Sequence, residues 1–236
     1  LAFGGMTSMT CGEENFKENS SINEGKELLA FLKNDTNKMK KDMIAHLEKK
    51  YGEKFIPLYF LAESGWDRMT FYKEGTNPKT DYAYIYREKE HGEVVYRDNY
   101  FGLIIRDEYE NLVKKEVEKV YGECKVYSEF SADVFSEKMN KDNSYKDAIK
   151  NGEYLRTSMK IYIKAGKEEL ILEKKADILR NNLEKNNLNG MYTLYYMKPG
   201  HFEGLTRESH SEYVKEYTKG FDNVCYESWD DRRAKK

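Results

Sequence analysis

The stretch from Met39 to Ala62, MKKDMIAHLEKKYGEKFIPLYFLA, reads as a helix, a stop and a strand. Met39, Met43, Leu47 and Tyr51 recur every four residues, which puts them on one stripe of a helix. Gly52 follows where a left-handed C-cap is wanted, a conformation glycine takes without strain. FIPLYFLA, over 55–62, then reads as a strand. The same order recurs downstream. Tyr109, Leu112, Val113, Val117 and Val120 form a second stripe that stops at Gly122, before CKVYSEF at 124–130. Leu172, Ala176, Leu179 and Leu183 form a third, over about 167–187, with Gly190 ahead of MYTLYYM at 191–197. A fourth, with Val214 and Tyr217, opens on the capping-box pair Ser209 and Glu212 and is expected to stop at Gly220, before FDNVCYESW.

Between the first two helices the chain is β-prone. Met69–Tyr72 and Tyr82–Tyr86 are aromatic runs separated by a Gly75–Pro78 turn. Glu90-His91-Gly92 turns the chain into a further strand at 93–97. Farther on, Thr157, Met159, Ile161 and Ile163 alternate with Ser158, Lys160, Tyr162 and Lys164, the pattern of a strand with one face to solvent. Residues 191–197 are apolar on both faces and are expected in the middle of a sheet. The expected fold class is α+β: a helix packed on an antiparallel meander, followed by a second α+β unit of alternating helices and strands. The units are drawn at 37–121 and 122–236, each large enough for a core, with a single larger domain as the alternative.

Residues 1–36 read differently. LAFGGMTSMT is apolar and small and carries no charge, and it ends at Cys11, after which the chain is polar through Ser21. That break is the mark of an export signal, and it resembles a bacterial lipoprotein signal, in which the Cys becomes the lipidated N-terminus; the competing reading is a partly apolar terminus with an ordinary free Cys. The residues before Cys11, Ser8-Met9-Thr10, depart from the usual Leu, small residue, then Gly or Ala. Within residues 12–36, Glu13–Asn23 read as a flexible tether and Glu24–Lys33 as a short helix through Leu28, Leu29 and Leu32, with folded structure starting near Asn37. The expected location is extracytoplasmic, lipid-anchored to the cell membrane. With Cys11 so used, Cys124 and Cys225 remain as an even pair, either one disulfide or two buried thiols.

Composition narrows function mainly by exclusion. Among 236 residues there are 40 Lys and Arg against 42 Asp and Glu, a net charge of −2 that lacks the basic excess of a nucleic-acid binder. A mean hydropathy of −0.89 excludes a polytopic membrane protein. No phosphate loop, dinucleotide fingerprint, nucleophile elbow, H-E-x-x-H or C-x-x-C occurs, and no cofactor is expected. Asn140–Gly152 lacks the ligand alternation of a calcium loop. His201 and His210 stand nine residues apart with Glu203, Glu208 and Glu212 nearby, which is no known zinc spacing, and no metal is expected. His46 reads as a satisfied boundary residue and His91 as an exposed turn residue.

The compositional excess is in tyrosine, with 20 Tyr against 4 His. Tyrosine offers large, stiff contact area with a polar tip. Trp66, Tyr72, Tyr82, Tyr84 and Tyr86 cluster in the meander and are the candidate ligand-binding residues. The competing reading is that β-propensity alone puts them there.

Met43–Tyr51 followed by Gly52-Glu53-Lys54-Phe55, then the aromatic meander, then Arg97-Asp98-Asn99-Tyr100 before a charged helix, resemble a group of uncharacterised exported lipoproteins of Gram-positive, often gut-dwelling, bacteria. The resemblance covers about residues 37–130 and implies location and fold type, with no activity attached. Asp98 in that motif is placed to cap the following segment. Two functions stay open: a surface-tethered binding or adaptor module for protein, peptide or glycan ligands, and an exported hydrolase of peptide or glycan with an unfamiliar site.

Overall fold

The computed structural model describes residues 35–130, 135–153, 155, 157–164, 172–188, 190–216 and 218–224. Residues 35–51 are helical and form α1. The chain divides into two compact units, one ending at Met43 and the other starting at Ile44. What is described of the first is helix, carrying a Lys38–Asp42 ion pair one turn apart at 2.9 Å. The second holds both sheets.

The first sheet is the expected antiparallel meander, β1 (Phe55–Glu63), β2 (Trp66–Lys73), β3 (Tyr82–Glu90) and β4 (Glu93–Asp98), in that spatial order. Strict alternation gives it two unlike faces. Met69, Phe71, Ala83 and Ile85 point inward and are essentially inaccessible. Leu47 and Tyr51 of α1 are buried as well, and edge-to-face ring contacts tie Tyr51 to Phe55 and Tyr100, and Phe55 to Phe71. Gly52, at φ +67°, ends the helix as its position requires.

Helix α2 (Tyr100–Tyr121), expected over about 106–121 as the helix that closes the meander, starts six residues earlier because the Asp98-Asn99 pair sets up its first turn. Tyr100 N–H donates to Asp98 Oδ1 at 3.0 Å, the capping role expected of Asp98. Asn99 is turned to other work: its Oδ1 accepts from Tyr84 N–H at 2.6 Å and its Nδ2 donates to the Phe130 carbonyl at 3.0 Å. Asp98 also takes Lys50 Nζ at 2.8 Å and Tyr51 Oη at 2.7 Å, with the Lys50 and Asp98 side chains only 5% and 1% exposed. This buried ion pair fastens the end of α1 to the end of β4.

The second sheet is mixed, in the order β5 (Cys124–Glu129), β6 (Ser158–Lys164), β7 (Met191–Met197) and β8 (Thr218–Val224). β6 and β7 run parallel, joined through α4 (Leu172–Lys185), and the outer pairs are antiparallel. β7 is internal, as its two apolar faces suggest. One face of this sheet packs against the stripe Phe101, Ile105, Tyr109, Val113 and Val117 of α2, with Leu179 and Leu183 of α4 and Tyr145 and Ala148 of the short helix α3 (Tyr145–Lys150). The helix drawn to close the meander therefore lends its apolar stripe to the second sheet. α3 was not anticipated, although Ser144 and Asp147 form a full capping box.

Two expectations need correction. β6 keeps only part of its expected solvent face: Lys164 is exposed, but Tyr162 is as buried as Ile161, because Tyr127, Tyr195, Met197, Phe202 and Leu205 form a second small core over it. Lys125 holds that cover down by donating to the carbonyls of Phe202, Glu203 and Leu205 at 2.7–3.1 Å. Helix α5 (His210–Glu216) ends before Gly220, which lies within β8 opposite Tyr196. Pairing with β7 outweighs the glycine as a stop signal. Among the described residues no helix is long and apolar enough to cross a membrane.

Candidate functional site

The strand register decides where the meander's aromatics lie. Trp66, Arg68, Thr70 and Tyr72 of β2 pair in turn with Glu88, Tyr86, Tyr84 and Tyr82 of β3. Residues two apart share a face, so all four rows project from the side opposite Met69, Phe71, Ala83 and Ile85. β1 adds Tyr59 opposite Thr70 and Leu61 opposite Arg68. The five candidate rings thus stand together on the outer face. Tyr82 and Tyr59 are exposed, at 41% and 59%, and the other rings of the group are half-buried. Trp66 and Tyr86 have centroids 6.0 Å apart, and Tyr82 and Tyr84 5.7 Å.

Two arginines stand on this face: Arg97, opposite Tyr86 on β4, is taken by Glu88 and Glu90, and Arg68 stands among the rings. The Arg68 guanidinium lies 5.1 Å from the Tyr84 ring centroid, a cation–π distance. Its Nε is buried without a hydrogen-bond partner. Among the described residues Arg68 makes no ion pair, whereas nearby Arg87 holds Asp67 at 2.8 Å and Arg97 holds Glu88 and Glu90.

Tyr82 and Tyr84 also belong to a second feature. β4 pairs with β3 only as far as Ile85, so the first residues of β3 lie open beside Asn99 and the end of β5. There a cleft of about 120 Å³ is lined by the two tyrosines together with Lys79, Arg106, Arg207 and His210. Its cations are already compensated: Lys79 pairs with Glu208 at 2.9 Å, Arg106 with Asp81 at 2.8 Å, and Arg207 with Glu110. Glu110 is saturated, because its other oxygen accepts from Ser128 N–H and Oγ–H at 2.7 and 2.6 Å. His210 is buried, stacked on Tyr127 at 5.0 Å, with Nδ1 3.0 Å from Tyr162 Oη. Burial pushes its pKa down to about 4, helped by Lys160 and Arg207 and opposed by Glu129. The imidazole is therefore neutral near pH 7 and built into the wall of the cleft.

The remaining chemistry-bearing residues are dispersed. His46 stacks on Tyr96 at 4.6 Å and reaches Glu137 at 3.2 Å. His91 occupies the β3–β4 turn at φ +52° and is exposed. Among the described residues no group of three or more His, Cys, Asp or Glu side chains converges as a metal site would require. Cys124 is a buried free thiol whose pKa burial pushes up to about 12, the opposite of an activated nucleophile. It sits on β5, at one edge of the second sheet, and β8, which ends at Val224, is the other edge. Cys11 and Cys225 lie outside the described residues. The ring cluster was legible as a cluster; Arg68 and the Arg106–Arg207–His210 cleft were not, because they are assembled from β2, α2 and the 207–210 turn, far apart in sequence.

Fold and surface together define a two-sheet α+β protein that presents an aromatic sheet face beside a charge-compensated cleft. No protein-family model matches the chain, and no curated protein matches it. Among solved structures it is similar to a DUF5037 family protein from the gut bacterium Ruminococcus gnavus, with a TM-score of 0.42 and 12% identity, over 82% of this chain and 83% of that chain.

Proposed function

We propose that this chain is a cell-surface lipoprotein, held to the membrane through Cys11, that works as a non-enzymatic binding module. The observation that carries the binding role is the shared orientation of Trp66, Tyr72, Tyr82, Tyr84 and Tyr86 on the outer face of the meander. A sheet built only for stability has no need of six large rings, Tyr59 included, on its wet side. Half-exposed rings with polar tips are instead what recognition surfaces use. The cleft supports the same reading, since its titratable groups are consumed by one another. An active site holds such groups in reserve for a substrate. The anchor rests on the sequence around Cys11.

The test is retention of isolated cell-envelope fragments by the immobilised chain. Wild-type protein retains them, and a variant with Trp66, Tyr84 and Tyr86 replaced by Ala loses retention while keeping its circular dichroism. Equal retention by both proteins defeats the proposal. Turnover of an envelope peptide or glycan that survives loss of the rings and stops on loss of one carboxylate would establish a hydrolase instead.

A further inference from the structure

We infer that the ligand of the aromatic face is an acidic saccharide, whose carboxylate is received by Arg68 between the rings of Tyr84, Tyr86 and Trp66. This rests on the reading of the face as a binding surface and adds the class of ligand.

The argument begins with Arg68. A guanidinium held among rings and half removed from water has lost solvation, and the usual compensation is a carboxylate. Every other arginine on the first sheet has one: Arg87 has Asp67, and Arg97 has Glu88 and Glu90. Arg68 has the Tyr84 ring and, among the described residues, no carboxylate. It is therefore a donor set short of an anion at the middle of the candidate surface. Register places Tyr86 directly opposite it, with Trp66 and Thr70 two residues away on its own strand. An anion reaching Arg68 must pass between rings.

Two kinds of anionic ligand suit rings. A peptide bound to a sheet takes its affinity from main-chain hydrogen bonds at an open strand edge. Here Trp66, Arg68 and Tyr86 sit where β2 and β3 are paired on both sides, and Tyr84, beyond the end of β4, exchanges its backbone bonds with Asn99. Recognition on this face is left to side chains alone. The phenols of Tyr59, Tyr82, Tyr84 and Tyr86 and the indole of Trp66 supply flat apolar area together with hydroxyl and N–H tips. That matches a pyranose, which has C–H faces and hydroxyl edges. The charge on Arg68 selects the pyranose that also bears a carboxylate, as a uronic acid does.

The experiment titrates the full chain with trigalacturonic acid and with its methyl ester, following tryptophan and tyrosine fluorescence and binding heat. The acid should bind and the ester should bind roughly tenfold more weakly or worse, the size expected for loss of one charge-assisted hydrogen-bonded pair. Arg68→Ala should bring acid and ester to the same weak affinity, and Arg68→Lys should restore part of the preference for the acid. Unchanged melting temperatures for both variants keep the comparison one of binding. Failure of the acid to bind overturns the inference, as does acid binding that is indifferent to Arg68. Equal binding of acid and ester that requires Trp66 and Tyr86 overturns it while leaving the aromatic face as the binding surface. Preference for an acidic tetrapeptide over the saccharide assigns the face to the other class of ligand.

Discussion

Lys50 and Asp98 show how much one buried residue pair is asked to do. Asp98 accepts from Lys50, from Tyr51 and from the first N–H of α2, and so joins α1, β4 and α2 at one carboxylate. Removing one member of a buried pair strands the other charge, and without Asp98 the Lys50 ammonium keeps only the longer contact to Glu137 at 3.5 Å. Asp98→Ala is therefore expected to cost about 3–5 kcal/mol in urea unfolding. Combining it with Lys50→Met should recover part of that loss, because no buried cation then remains. A double variant no more stable than Asp98→Ala would show that the lost cap and the Tyr51 bond, rather than the stranded Lys50, carry the cost. His210 makes the second case at this scale. Its pKa falls from 6.5 in the unfolded chain to about 4 in the fold, so the unfolded state binds the extra proton between those values. The contribution is present in full above about pH 6.5 and is lost as pH falls toward about 4. Thermal unfolding across that window should have a steeper pH dependence in the wild type than in His210→Gln. Equal slopes would mean that the ring is protonated in place.

At the scale of elements, α2 is the piece on which both halves depend. Its first turn is set by Asp98 and Asn99 of the meander, and its stripe from Ile105 to Val117 faces the second sheet. Gly102 allows the close approach: a Cβ there would stand 2.5 Å from Cγ of the Phe130 ring and 2.6 Å from its Cβ. Gly102→Ala should destabilise the chain by about 1–3 kcal/mol, the range for overpacking, against helix propensity, which favours alanine. Gly102→Ala with Phe130→Ala, which removes the ring Cγ, should cost less than the sum of the two single substitutions, and calorimetry of the three variants decides. The sequence revealed these elements unevenly. Stripes at spacing four and aromatic alternation showed α1 and the meander, because both obey local periodicity. The early start of α2 was less plain: Phe101 and Ile105 extend the stripe of Tyr109, Val113 and Val117, but they follow directly on a β-prone run, and their first turn is set by a cap formed at the end of the preceding strand. The covered face of β6 was hidden for a different reason. Lys160, Tyr162 and Lys164 alternate like a solvent face, and only the return of Phe202 and Leu205 buries Tyr162. Arg68 belongs with these: a lone Arg in a β-prone run says nothing until register sets Tyr86 opposite it.

At the scale of the whole molecule, the proposed anchor makes its own demand. A single acyl chain binds a bilayer marginally and reversibly, while a diacylated cysteine supplies the two chains that stable attachment takes. Protein produced with its native leader should partition into detergent, and Cys11→Ser should move it to the aqueous phase. An unmodified Cys11 on mass spectrometry of membrane-associated protein would end that proposal. The crossover between β6 and β7 carries a further consequence, in the order of synthesis. Each strand of the meander finds its partner across a short turn as soon as the next strand leaves the ribosome, so the first sheet can assemble during translation. β6 cannot gain its parallel partner until α4 and all of β7 have followed. Until then Ile105, Tyr109, Val113 and Val117 of α2 have only β5 and α3 to lie against, without β6, α4 and β7. The nascent chain thus passes through a stage with a finished meander and a half-covered apolar helix, the stage at which exposed apolar surface invites aggregation or a chaperone.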